Sequence, residues 1–337
     1  MATHTQGLPG SPLPSVSVIL PVLNEELHLE SAVLSILSQD YRGSFEVILA
    51  IGPSRDRTLE IAQKISQSDS RVVIVESPTG RTAAGLNLAL KKSDSPVVVR
   101  VDGHAQIPHN YISLVVETLN ATGAVNVGGV MAAVGKSRFE KAVAGAMRSP
   151  FGVGASRFHT GGVAGVVDTV YLGAFRREAL LAIGGFDERF TRAQDWELNF
   201  RLRENGGTIY FDPRLQVIYR PRPNLRALAK QYFEYGRWRR VVSRSHPGTI
   251  NYRYLAPPVA LVGFTLSIFT GALIHPFFLI AAAIYALFTV FASVKISQTF
   301  RETFILLLVI PTMHFAWGAG FLTSPKSLVP KSLVSKG

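Results

Sequence analysis

The chain has 337 residues and no cysteine, with 47% hydrophobic and 17% charged residues. That length holds one large α/β domain plus an appendage, and the lack of thiols excludes disulfides and thiolate chemistry. The formal charge of +12 is concentrated: eight Lys or Arg stand against one acid, Glu234, between residues 222 and 253, while residues 1–221 are close to neutral, so a nucleic-acid-binding surface on the larger domain is excluded.

Residues 1–14 are rich in Gly, Ser, Thr and Pro and read as a disordered N-terminus. They carry no charged segment followed by an apolar core, so no signal peptide is expected. Residues 15–20 alternate small polar and β-branched side chains and predict a first strand running into Pro21. Leu29, Val33, Ile36 and Leu37 recur with a helical period within 25–39. Strands over 45–51 and 72–76 then alternate with helices over 56–66 and 82–92, and 97–102 is a fourth strand. This spacing predicts βαβ units around a mostly parallel, Rossmann-like sheet, an α/β fold class. Residues 123–174 are Gly-rich and weakly periodic and read as mobile loops more than a packed unit.

Residues 255–294 and 303–325 contain no Asp, Glu, Lys or Arg. A bilayer span needs about 20 apolar residues, so the first stretch holds two spans, broken at His275-Pro276, and the second holds one. The basic stretch before them is a membrane-surface signature, since anionic headgroups attract it. It places the larger domain on the cytoplasmic side of a multi-pass cell-membrane protein. Three full spans put Lys326, Lys331 and Lys336 on the other side, against that tendency, which favours one re-entrant or interfacial segment. The expected organisation is 1–14 disordered, 15–221 catalytic, 222–253 basic and interfacial, 254–325 transmembrane with two or three spans, and 326–337 a basic tail.

Open α/β sheets bind ligands outside the carboxyl ends of their strands. The apolar run from Val97 ends there in Asp102-Gly103-His104. Two residues apart in an extended segment, Asp102 and His104 point the same way and can share one divalent cation; a solvated Asp-Gly turn is the alternative. Pro21-Val22-Leu23-Asn24-Glu25 reaches the same edge. Asn24 and Glu25 there either hydrogen-bond a base or ribose, or cap and charge the start of the next helix. Asp56, within Ser54-Arg55-Asp56-Arg57-Thr58, is a nucleotide contact or a cap. Gly80-Arg81-Thr82-Ala83-Ala84-Gly85 opens the third helix, where backbone N–H groups and Arg81 suit a diphosphate and the small residues suit helix–sheet packing. It is not a Walker loop. Asp195 stands at the mouth of a helix with Leu198 and Leu202 on one face, and is a general base or a dipole-stabilised charge. Gln194 and Trp196 flank it without a second negative charge, so it is expected to be ionised near neutral pH. Residues 232–240 interleave aromatics and arginines as an interfacial anchor, with Arg237 available to a phosphate. A metal-capable strand end, a later carboxylate and a membrane anchor suggest an enzyme that moves a sugar from a nucleotide to a membrane-bound acceptor.

Taken together, Ser17-Val18-Ile19-Leu20-Pro21 with Asn24-Glu25, the Asp102 strand end and Gln194-Asp195 resemble the inverting family-2 glycosyltransferases with a GT-A fold, over roughly residues 15–220. Arg100-Val101-Asp102-Gly103-His104-Ala105 and Gln194-Asp195-Trp196-Glu197-Leu198-Asn199 look most like the succinoglycan-type exopolysaccharide glucosyltransferases. The resemblance implies a nucleotide-sugar donor, usually UDP-linked, contacted around Pro21, Asn24, Glu25, Asp56 and Arg81. It implies Mg²⁺ or Mn²⁺ held through Asp102, with His104 where the family has a second Asp, and Asp195 as the base for an acceptor hydroxyl. Arg237-Trp238 is what remains of a Gln-x-x-Arg-Trp motif on the donor side. Ile51-Gly52 replaces the family's uracil-reading Asp-Asp, and Gln194 replaces a Glu. The acceptor implied is a lipid-linked saccharide in exopolysaccharide or cell-envelope synthesis. The alternatives are a polyprenyl-phosphate sugar synthase, or an inactive scaffold of a polysaccharide assembly complex.

Overall fold

A computed structural model of the chain describes residues 12–329. The expected disordered N-terminus and basic tail lie largely outside those residues. In chain order the elements are β1 (Val16–Val22), α1 (Leu29–Leu37), β2 (Phe45–Ile51), α2 (Thr58–Ser68), β3 (Val72–Glu76), α3 (Thr82–Lys92), β4 (Val97–Arg100), α4 (Tyr111–Thr122) and β5 (Asn126–Ala133). Then come α5 (Arg138–Met147), α6 (Pro150–Val153), α7 (Arg157–Thr160), β6 (Gly165–Val166), β7 (Tyr171–Arg176), α8 (Arg177–Ala182), α9 (Gln194–Glu204) and β8 (Ile209–Tyr219). The C-terminal part is helical: α10 (Leu225–Ser245), α11 (Tyr252–Leu273), a 3-10 turn at Pro276–Leu279, α12 (Ile280–Ile296) and α13 (Phe300–Thr323).

The chain forms two compact units, one running to Ala132 and resuming over Gly161–Tyr219, the other made of Ala133–Thr160 and everything from Arg220. The segment 133–160, which the sequence places in the catalytic domain, therefore clusters with the C-terminal helices. The first unit is built on one sheet of order β3-β2-β1-β4-β7-β5-β8-β6. β3, β2, β1 and β4 are parallel, and β7 runs antiparallel to both β4 and β5. Strand alternation sorts the core. Val16, Val18, Leu20 and Val22 of β1 pack on one face with Leu29, Val33 and Ile36 of α1, while Ile19 turns to the other face with Leu86 of α3 and Leu198 of α9. Each such fully buried aliphatic contributes about 1.5–3 kcal/mol.

Residues 123–153 and 170–174 are packed, contrary to the loops expected there, while 154–169 is largely irregular and has no buried residue. They supply β5 and most of β7, and bury Val127, Met131, Val143, Ala146 and Met147. Some of the glycines that mask the period are there for contact: a Cβ on Gly129 would lie 1.7 Å from the Leu215 carbonyl oxygen.

In the second unit, α10 and α13 approach backbone to backbone. A Cβ on Gly236 would be 1.9 Å from the Trp317 carbonyl oxygen, and one on Gly320 would be 2.0 Å from that of Phe233. Arg239 lies over the Tyr254 ring at 3.7 Å, Tyr254 stacks on Trp317, Trp317 stacks on Phe321, and Arg240 covers Phe321 at 4.9 Å. His314 bonds the Tyr285 hydroxyl through Nδ1 (3.0 Å) and the Phe151 carbonyl through Nε2 (2.9 Å). Three helices, Tyr252–Leu273, Pro276–Ile296 and Phe300–Thr323, are long and apolar enough to cross a membrane. Length singles out none of them as re-entrant.

Candidate active site at the carboxyl edge of the sheet

Two loops leave this edge side by side and are stapled together. Asn24 takes the left-handed region at φ 54°, which Asn tolerates better than most residues. Its N–H donates to the Ser54 hydroxyl (3.0 Å) and its side-chain oxygen accepts from the Arg55 N–H (2.8 Å). The Glu25 N–H donates to the Thr58 hydroxyl (2.8 Å) and the Glu26 N–H to Asp56 (3.2 Å). Asn24 and Glu25 do not cap the next helix, whereas Asp56 accepts the first N–H of α2. The α1 helix starts at Leu29, with His28 as its uncapped N-cap, because residues 24–26 spend their amides on the neighbouring loop. Asp56 accepts from both the Thr58 N–H (3.1 Å) and the Thr58 hydroxyl (2.5 Å), and the latter bond holds its carboxyl below the usual value. Arg57, not Asp56, is the N-cap of α2.

Pro21 and Arg81 line one cleft, with Leu23, Ser77, Gly80 and Thr82. Arg81 is exposed, whereas Ala83, Ala84 and Gly85 are buried, so the start of α3 offers a cation and also packs on the sheet.

The centre of the edge is Arg100. β4 ends at this residue, two earlier than expected, since the Ala105 N–H folds back to the Asp102 carbonyl (2.9 Å) and closes a turn. Asp102 and His104 are therefore not in extended chain. Asp102 turns to Arg100, whose Nε and Nη2 donate to its Oδ1 at 3.2 and 3.0 Å. His104 meets Glu25, Nδ1 to Oε1, at 2.8 Å. Arg100 Nη1 also donates to Asp195 Oδ1, so one guanidinium joins two carboxylates 93 residues apart. The Arg100 side chain is 6% exposed, against 20% for Asp102 and 26% for Asp195, which puts the cation inside and the anions at the rim. Burial disfavours the charge on Arg100, but Asp102 and Asp195 outweigh it and its pKa is raised.

Asp195 is presented by α9, a helix whose polar residues are themselves anchored. Leu198 and Leu202 are buried on one face, as the sequence predicts. Asn199 accepts from the Asn126 amide (2.6 Å) and donates to Thr169 (2.9 Å), and Glu197 takes a two-point bond from Arg201 (2.6 and 2.7 Å). Ala193, just before the helix, sits in the left-handed region at φ 60°, a strained turn for a residue with a Cβ. Asp195 is not the ordinary carboxylate expected. Burial pushes its pKa up to about 6, with Arg100 opposing and Asp102 adding to the rise. The like charge that matters comes from across the sheet, not from a sequence neighbour.

Among the described residues no cluster of three or more His, Asp or Glu is arranged to hold a metal. The two Arg100 bonds to Asp102 fall on one oxygen, and a carboxylate has lone pairs on both. His104 Nδ1 meets a carboxylate oxygen of Glu25, the kind of pairing that orients a metal-binding imidazole. One carboxylate and one such imidazole fit Mg²⁺ or Mn²⁺ completed by phosphate oxygens and water. Arg237 and Trp238 belong to α10 in the second unit, where Arg237 bonds Glu234 (3.3 Å) and Trp238 is buried. Arg100 and the Asn126–Asn199 pair are site elements that the sequence reading passed over.

Residues 17–184 match the family described as Glycosyl transferase family 2. Among curated proteins, the chain is 31% identical to the succinoglycan biosynthesis protein ExoA of Rhizobium meliloti, over 90% of this chain and 93% of that protein. It is 23% identical to a dolichyl N-acetyl-alpha-D-glucosaminyl phosphate 3-beta-D-2,3-diacetamido-2,3-dideoxy-beta-D-glucuronosyltransferase of Methanococcus voltae, over 77% of this chain and 83% of that one. Among solved structures, the mannosyltransferase PcManGT of Pyrobaculum calidifontis, in complex with GDP-Man and Mn²⁺, superposes with a TM-score of 0.60 at 19% identity, covering 93% of this chain and 88% of its own. That likeness establishes the same Rossmann-like GT-A fold.

Proposed function

The chain belongs to glycosyl transferase family 2, and from that premise we propose that it is a membrane-held inverting transferase carrying a hexose from a nucleotide-sugar donor, UDP-linked, to a lipid-linked glycan in exopolysaccharide or cell-envelope synthesis. The observation that carries this reading is the meeting of Asp102 and Asp195 on one guanidinium at the ligand-binding edge of the sheet. Asp102 marks the donor side and Asp195 the acceptor side. Asp195 takes the proton from an acceptor hydroxyl as its oxygen attacks the anomeric carbon. The bond from that carbon to the diphosphate oxygen breaks on the opposite face, and its electron pair leaves with the nucleoside diphosphate. A positioned carboxylate base contributes typically ~10²–10⁴-fold to such a step.

Asp102 and His104 are the residues that would hold Mg²⁺ or Mn²⁺, an ion that neutralises the departing diphosphate when bound. Arg81, at the start of α3, faces the same charge, and the stapled loops carrying Asn24, Glu25 and Asp56 frame the nucleoside. Seven of the eight basic residues over 222–253 precede the first of the three apolar helices and Arg253 lies in its first turn, a pattern that keeps the catalytic unit on the cytoplasmic side of the membrane. The succinoglycan relative supports an exopolysaccharide acceptor.

Membranes carrying the full chain, screened against UDP-, GDP- and dTDP-sugars with Mg²⁺ or Mn²⁺, are expected to release nucleoside diphosphate from one donor class. Asp102→Ala should abolish turnover and His104→Ala should lower it less. Full turnover in excess chelator would overturn the metal assignment, and no turnover of any donor would overturn the transferase reading.

A further inference from the structure

We propose that Arg100 is a positioning residue of the transfer, a buried guanidinium that fixes the separation and orientation of Asp102 and Asp195 and acts through both. This rests on the transferase reading above. A charge inside an apolar parallel strand calls for a reason, because burying an unpaired cation costs several kcal/mol. The strand period says where this one points. Val97, Val99 and Val101 belong to the core on one face of the sheet and Val98 to the core on the other, which α9 covers with Leu198 and Leu202. Arg100 shares the parity of Val98, so it projects toward the helix that presents Asp195.

Stability alone does not account for this trio. A buried ion network replaced whole by apolar residues of similar volume is often neutral or more stable, so apolar residues at all three positions would serve the fold at least as well. What an aliphatic residue cannot do is keep two carboxylates at a set distance. The guanidinium is planar and rigid, and it uses Nε and Nη2 on Asp102 and Nη1 on Asp195. It is a spacer between the donor-side and acceptor-side anions. Lysine, a point charge on a flexible stem, matches the charge without the spacing.

The test uses the full-length protein and whichever of the UDP-, GDP- or dTDP-hexoses the wild type turns over. Arg100→Leu leaves Asp102 and Asp195 without their cation and should lower the thermal midpoint, so its activity is read per folded molecule below that midpoint. Its kcat should fall by about 10²-fold, the scale of a 1 Å misplacement of a reacting group. Arg100→Lys should fall similarly despite its charge. Adding Asp195→Asn to Arg100→Leu should cost far less than Asp195→Asn costs alone, because the base is already displaced. A structural role gives a different pattern: near-normal kcat per folded molecule in both Arg100 variants, and losses that multiply in the double variant. That pattern, or wild-type kcat in Arg100→Lys, overturns the proposal while the transferase reading stands. A wild type that turns over no donor overturns both.

Discussion

Arg100 in the first unit and Arg239 in the second are almost equally buried, at 5% and 6% exposure, and the two units accommodate them differently. Arg100 is held by two carboxylates at the rim of a ligand-binding edge. Arg239 lies on the face of Tyr254, in a stack of three rings closed at its far end by Arg240, and donates to the Thr249 carbonyl (2.5 Å). Carboxylates give direction and leave a net negative trio that can exchange protons and hold a cation. Rings give contact and carry no formal charge. Glu234, the one acid of 222–253, is already bonded to Arg237.

The sharpest break in this contrast is Asp195→Asn, which keeps the shape of the first arrangement and removes its acceptor-side anion. The kcat should fall by roughly 10²–10⁴-fold while donor affinity, read by titration calorimetry with metal, changes little. Lost donor binding with normal turnover per bound donor would place Asp195 on the donor side instead. In the second unit, Gly236→Leu should be the most damaging single change. Its Cβ would fall on the Trp317 carbonyl, so overpacking of about 1–3 kcal/mol or more is expected, read as a lower thermal midpoint with kcat per folded molecule preserved.

Acidity probes the first arrangement next. Asp195 acts as a base only when ionised, and its pKa is raised to about 6, so kcat should be level above pH 7 and fall on the acid side, by about tenfold at pH 5. The sign for stability is the reverse. With the folded pKa above the unfolded value of an aspartate, the folded state binds the proton more readily, so this residue's contribution declines as pH rises from about 4 to about 6. A profile flat down to pH 5 would remove Asp195 from the rate. The mildest test is Tyr254→Leu, which strips the ring from Arg239 and should cost about 0.5–2 kcal/mol of stability without altering donor turnover.

The parallel half of the sheet was legible from sequence because its strands are short, apolar, β-branched runs set between helical periods. Phe45–Ile51, Val72–Glu76 and the helix Thr82–Lys92 fall where their patterns end. The reading failed where a side chain or a close approach overrides the local pattern. Asn24 turns left-handed to staple a loop 30 residues away, which no helical period signals. Asp102 leaves the strand because its carbonyl closes a turn. Gly128, Gly129, Gly135 and Gly152 look like flexibility and are contact points. Arg100 was visible, the one charge between Val97 and Val101, and parity alone could have sent it toward Asp195. The upward shift of Asp195 was not visible, since its causes are burial and a carboxylate 93 residues away.

The excursion of 133–160 into the second unit sets a timetable for synthesis. α5 and α6 leave the ribosome well before the helices they pack on: Gly145 lies against Ile296, and the Phe151 carbonyl waits for His314. At the usual pace of about 5–20 residues per second, that wait is roughly ten to thirty seconds. Through it the apolar face of Ala142, Val143, Ala146 and Met147 is a nascent-chain liability. A chain stopped at residue 220 never resolves it, because that face stays in water for the protein's lifetime.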